Sequence, residues 1–314
     1  MGNYFLLQAL SVIFALSIAT TMFNKRILDF PQAIGVPIVS AVLVFILQWG
    51  ANLLQGNQFI TINIHNIEEA VRGIDFYDFL INGVICFILT SSALKFKISD
   101  LRNHWKPIGI LATIALLLCA ILFAGLMYGF QFLIGHPVPI LVLLLLGSAL
   151  GATDPIGIKG VLSSVRAPHH LIVKLEGESL FNDAMCIAVF MTLLNVLQGE
   201  HFSLMHTLEN FVYEIVVAAM IGWAFGLGIL RLLRGKHEME SLILTTALLA
   251  CGSYLVALFA HASAPIACVI GGLIVGNKWK EILQEREIRE VNHFWHTVEG
   301  IINSFLFTLI GLEL

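Results

Sequence analysis

The stretch that decides the fold is Glu176-Gly177-Glu178-Ser179-Leu180-Phe181-Asn182-Asp183-Ala184, entered from Leu171-Ile172-Val173 and followed by apolar sequence to Leu197. Three acids, Glu176, Glu178 and Asp183, crowd into it. On a helix Glu178 and Asn182 are i, i+4 neighbours, and so are Ser179 and Asp183. Glu178 and Asp183 therefore occupy adjoining faces. Carboxylates this close in a low dielectric repel, so at least one must be protonated, ion-bound or paired with a cation. Asn182 can hold a neighbouring acid by hydrogen bonding without adding charge. Glu176 suits a polar helix end leaning into a loop. Asp183 does not, because Ala184 to Leu194 carry no further charge.

The rest of the chain explains why this matters. Of 314 residues, 58% are hydrophobic and 12% charged, and mean hydropathy is +0.89. Soluble domains run at about 45–50% apolar and about 25% charged. There is too little charge to coat a globular surface of this size, which excludes a soluble domain and a disordered chain. A net charge of −4 with no dominant basic block speaks against nucleic-acid binding. The chain reads as an all-α polytopic membrane protein with about ten transmembrane helices. Apolar runs place them near 4–23, 31–54, 76–94, 106–134, 138–163, 171–198, 208–233, 240–260, 264–277 and 298–314. Residues 55–75 read as a polar loop or short hairpin, and 277–297 as an amphipathic helix lying in the interface. The N-terminal run has no basic residue before it and no small-residue cleavage pattern, so it reads as a first span and not a cleaved signal.

Basic residues test this count. Lys25, Arg26, Lys95, Lys97, Arg102, Lys106, Lys159, Arg166, Lys174, Arg231, Arg234, Lys236, Lys278, Lys280, Arg286 and Arg289 all fall in the loops after odd-numbered helices, leaving Arg72 alone of the 17 on the other side. By the positive-inside rule those loops are cytoplasmic and the N-terminus is outside. Trp105, Trp279 and Trp295 stand where interfacial anchors stand. Cys86, Cys119, Cys186, Cys251 and Cys268 lie in apolar runs without a CxxC pair, and read as buried reduced thiols.

A second stretch carries chemistry: Gly151-Ala152-Thr153-Asp154-Pro155-Ile156-Gly157, after the aliphatic run Ile140–Leu146. Pro155 removes a backbone donor and clashes with the preceding turn, and the flanking glycines let the chain unwind. An interrupted helix at membrane depth is tolerated where it lines a cavity. Its free carbonyls, the Thr153 hydroxyl and the Asp154 carboxylate make a hard oxygen set for a small cation. For Asp-Pro by itself, a Pro-kinked helix with a snorkelling Asp is an equal alternative.

With both stretches in view, the sequence resembles the monovalent cation:proton antiporter-1 family, the NhaP-type bacterial and NHE-type animal sodium/proton exchangers. Ala152-Thr153-Asp154-Pro155 and the acidic stretch Glu176–Ala184 carry the resemblance. Pro31-Gln32-Ala33-Ile34-Gly35-Val36-Pro37 and Leu309-Ile310-Gly311-Leu312-Glu313-Leu314 add weaker matches. The resemblance implies an NhaA-like inverted-repeat antiporter fold, here lacking the last about three helices. It implies that Asp183 alternately binds Na+ or H+, with Asp154, Thr153 and Ser179 as co-ligands of Na+. Asn182, Glu178 and Pro155 would organise the site. An Asn-Asp pair at this place is typical of electroneutral exchangers. Glu178 in the family pairs with an Arg on a later helix that this chain does not contain. The implied division is scaffold and dimerisation helices in 1–100, ion-site core helices in 101–198, and a linker helix with further scaffold in 199–314.

The expected activity is secondary exchange of Na+ (or Li+ or K+) for H+ in the plasma membrane, without a cofactor, by a homodimer embedded in the bilayer. Nucleic acid and nucleotide are not expected partners, since no P-loop is present. Neither is an enzyme expected: an intramembrane aspartyl protease needs Gly-x-Gly-Asp, and His237-Glu238 lacks the second His of a zinc motif. The alternative is a truncated, non-transporting subunit that dimerises with or modulates a full-length antiporter.

Overall fold

The computed structural model describes residues 5–53, 84–135, 137–153, 168–199, 204–235 and 238–313. Among them the regular elements are helical and no strand occurs. In chain order they are α1 (Phe5–Phe23), α2 (Gln32–Leu53), α3 (Ile85–Lys95), α4 (Ile98–Ile110), α5 (Leu116–Ile134), α6 (Ile140–Leu150), α7 (His169–Leu197), α8 (Leu204–Leu232), α9 (Met239–Phe259), α10 (Ala264–Lys278) and α11 (Glu285–Glu313). By length and composition, four helical stretches among the described residues can cross a membrane: Ile98–Leu133, His170–Leu197, Leu208–Leu232 and Met239–Phe259.

Two units emerge. The first contains α1, α2 and the α11 residues from His296 onward; the second runs from Ile85 to Trp295. In the first unit α1 ends in a π-type turn, Asn24–Leu28, closed by Asp29 at φ 50°. Asn24 Nδ2 donates to Phe30 O at 2.9 Å, and its amide fills the space where a side chain at Gly35 would stand. Phe14 meets Phe305 edge-on at 4.7 Å, and the Thr20 and Thr308 hydroxyls share a buried 3.3 Å hydrogen bond.

In the second unit the helices pack as two groups, α3 with α8, α9 and α10, and α4–α5 with α6 and α7, which meet where α7 lies on α10. Within a bilayer no hydrophobic drive separates helix from lipid, so close helix contact depends on small residues. The sequence supplies them on α10. A β-carbon at Gly276 would fall on the Leu94 carbonyl of α3, and one at Gly222 of α8 would fall on the Ala267 carbonyl of α10. Between α5 and α6 a β-carbon at Gly147 would lie 2.7 Å from Ala120 O.

Four expectations change. The stretch before residue 106, read as loop, is already helical from Ile98; α4 bends at His104 (φ −126°, ψ 19°) and passes through a π-type turn at Leu111–Ala115 into α5. The amphipathic segment is not separate from the last span. A short 3-10 turn, Trp279–Glu281, precedes a single helix α11, whose first turns are held by exposed i, i+4 pairs Arg286–Glu290 and Arg289–Glu285. Trp279 and Trp295 are each 1% exposed, so they are packing residues and not interfacial anchors. Trp295 donates to Thr246 Oγ1 at 2.9 Å and stacks on Phe87, while Trp105 is exposed. Of the cysteines, Cys86, Cys186 and Cys268 are buried but Cys119 is exposed. The expected hairpin in 55–75 lies outside the described residues.

Candidate functional site

The acidic stretch sits in the first half of α7, and helix α6 ends beside it. Regular structure in α6 stops at Leu150, and Gly151, Ala152 and Thr153 are not helical. The helix thus ends where an interruption is expected, and the continuation beyond Thr153, Asp154 and Pro155 included, lies outside the described residues.

A helix end leaves carbonyls without intrahelical partners. Here α7 supplies donors for them. Cys186 Sγ donates to Ser148 O at 2.9 Å. Asn182 Nδ2 donates to Gly151 O at 3.0 Å. Ser179 Oγ donates to Thr153 O at 2.8 Å. Positions 179, 182 and 186 share one helical face, so one stripe of α7 satisfies successive carbonyls at the end of α6.

Side chains close the arrangement. Asn182 Nδ2 also donates to Thr153 Oγ1 and to Glu178 Oε1, both at 3.0 Å. The Thr153 hydroxyl donates to the same Glu178 oxygen at 2.9 Å. Glu178 is 9% exposed, Ser179 4% and Asn182 2%. Glu178 therefore takes hydrogen bonds from two neutral donors, and among the described residues no cation pairs with it. The amide orientation of Asn182 follows from its neighbours: turned over, its oxygen would face the Gly151 carbonyl and the Glu178 carboxyl oxygen. As placed, Oδ1 is buried without a hydrogen-bond partner, an acceptor facing no donor. Asp183 follows directly and is half-buried.

The i, i+4 contact of Glu178 with Asn182 was legible in advance. Ser179 pairs with the unwound chain at Thr153. Two participants were missed. Cys186 extends the donor stripe, and the i, i+3, i+7 spacing of Ser179, Asn182 and Cys186 was the signal. Gly177 was passed over as a spacer between acids. A β-carbon there would lie 2.6 Å from Ile108 Cδ1 and 2.9 Å from Phe96 Cζ, so its smallness lets α7 lie against α4.

The arrangement fits a membrane transporter: an acid-bearing helix bonded to the unwound end of a second helix within an apolar bundle. The family model described as sodium/hydrogen exchanger, transmembrane, matches residues 12–314. The chain belongs to that family, whose members are transporters and not enzymes. It is 36% identical over 313 residues to the Na(+)/H(+) antiporter NhaP of Pseudomonas aeruginosa, covering 98% of this chain and 72% of that protein. It is 30% identical over 230 residues to the low-affinity Na(+)/H(+) antiporter NhaS1 of Synechocystis sp., covering 71% of this chain and 42% of that protein. The solved structure of the sodium proton antiporter MjNhaP1 from Methanocaldococcus jannaschii superposes with a TM-score of 0.71 at 22% identity, over 98% of this chain and 71% of that one. The fold is thus that of the NhaP antiporters.

Proposed function

We propose that the chain exchanges a monovalent cation, Na+ or its neighbours Li+ and K+, for H+ across the plasma membrane. The single observation that carries this reading is the Asn182 amide, one residue before Asp183, which holds α7 to the Gly151 carbonyl and the Thr153 hydroxyl of the unwound segment. Proton and cation compete for the Asp183 carboxylate. Asp154, Thr153 and Ser179 complete a hard oxygen set suited to Na+. In the described state the Thr153 and Ser179 hydroxyls donate within the protein, and both keep lone pairs for a cation. Asn182, Glu178 and Pro155 maintain the break in the helix. Because either ion neutralises the one carboxylate, exchange is one-for-one and electroneutral.

In this reading residues 1–100 and 199–314 supply scaffold and dimer contacts and 101–198 the moving core. The dense packing of α4–α6 with α7, and of α3 with α8–α10, supports that division, and α7 lying on α10 joins the two. The basic loops lie in the cytoplasm with the N-terminus outside. The test is ΔpH-driven exchange in proteoliposomes, using the full gene product and its Asp183→Asn variant. The variant is expected to be inactive. Exchange persisting in it at the wild-type rate refutes the assignment. A wild-type protein that is silent alone but co-purifies with a full-length antiporter favours the non-transporting subunit instead.

A further inference from the structure

We propose that Phe96 and Asn277 form the pivot on which the site-bearing helices α4–α7 turn against α3 and α10. Between α3 and α4 only Phe96 and Lys97 are non-helical, with Lys97 extended at φ −88°, ψ 127°. Upstream of this joint α3 cannot slide, because Gly272 and Gly276 bring the α10 backbone against Ala93 and Leu94. Downstream, α4 packs on α7, which also lies against α10, so turning at the joint slides α7 along α10.

Asn277, in the last turn of α10, clamps both sides of the joint. Its Nδ2 donates to Phe96 O at 2.9 Å and to Leu273 O of its own helix at 2.8 Å, which orients the amide. Its Oδ1 accepts from Ile98 N at 2.8 Å. Ile98 opens α4, so an orphan amide of that helix start is capped from a different helix. The Phe96 ring points the other way. It is 8% exposed and occupies the notch left by Gly177, between Glu176 and Glu178. The backbone of Phe96 thus belongs to the α3–α10 group and its ring to the site helix. Alternating access in transporters turns one packed group against another about a fixed site. This joint is a short covalent link where such turning can be absorbed, and Asn277 sets its position.

The transport readout rests on the exchange reading above; the distance readout does not. Per folded, monodisperse molecule, Asn277→Ala is expected to lower turnover about tenfold, as two clamp bonds are lost, with KM for Na+ within about twofold. Phe96→Ala behaves alike. Asn277→Asp keeps the acceptor for Ile98 but sets a carboxylate oxygen against the Phe96 carbonyl, and is expected to match Asn277→Ala. A wild-type turnover per folded molecule overturns the proposal, whatever the yield of folded protein. So does a KM that shifts in step with turnover, or an Asn277→Asp variant that behaves as wild type. Spin labels at the exposed Lys106 and Lys278, with Cys119 and Cys251 replaced, give the independent test. The distance distribution is expected to broaden in Asn277→Ala, and an unchanged distribution refutes the pivot. If the distribution broadens while the wild type exchanges no cation, the exchange reading falls and the pivot stands.

Discussion

Replacing Asn182 with Leu keeps the volume and removes one donor group. The amide has two protons for three acceptors, Gly151 O, Thr153 Oγ1 and Glu178 Oε1, so the loss amounts to about two hydrogen bonds. One goes to a carboxyl group, at about 1.5–3 kcal/mol, and one to a neutral acceptor, at about 0.5–1.5 kcal/mol. The orphaned Oδ1 adds nothing to the loss, since it bonds to nothing now. Together the break between α6 and α7 should weaken by about 2–4 kcal/mol, a factor of about 30–1000 in docked over undocked chain. The assay is thermal unfolding of detergent-purified protein, with a midpoint lowered by about 4–10 °C, beside exchange in proteoliposomes, which should fail. Asn182→Asp should be no better, because it sets a third carbonyl-type oxygen among acceptors. A Leu variant that melts and transports like the wild type would refute the reasoning.

Other perturbations read different contacts. Gly276→Ala should cost about 1–3 kcal/mol by overpacking the Leu94 backbone, partly offset by about 1 kcal/mol of helix propensity; survival of monodisperse protein after a heat step measures it. Trp295→Phe keeps the stack on Phe87 but loses the 2.9 Å bond to Thr246, a loss of about 1–2 kcal/mol. Added to Trp295→Phe, the second change Thr246→Val should cost little further, and a fully additive double-mutant cycle refutes the pairing. If one proton competes with one cation, the apparent KM for Na+ should rise about tenfold per unit of falling pH across the acidic range. A slope of two decades per unit, read from exchange at several pH values, excludes a single shared carboxylate.

Hydropathy found the helices because the bilayer imposes their length, but not the early starts of α4 at Ile98 and α11 at Glu285. The acidic stretch announced itself for a similar reason: charge is costly at membrane depth, so Asp183 behind an apolar run is a strong signal. Contacts between helices were harder to see. In a membrane protein the lipid-facing and protein-facing sides are both apolar, so hydropathy could not tell that Trp295 is buried at 1% while Phe259 is 83% exposed. Nor does a loop reading reveal that Asn277 caps a helix far away in sequence. Glycines held more than was taken from them. Gly177, Gly272 and Gly276 each mark a place where one backbone or ring lies against another.

Helix α10 has 15 residues and rises only about 22 Å, against a hydrocarbon layer of about 30 Å. Facing lipid, so short a rod would thin the bilayer or tilt its neighbours. Little of α10 can meet lipid, because none of its residues from Ala264 to Gly276 is exposed. Hydrophobic mismatch is therefore felt by the longer outer helices and not by the one that holds the α3–α4 joint. Thinner or thicker lipids should strain the periphery of this protein while leaving that joint at rest.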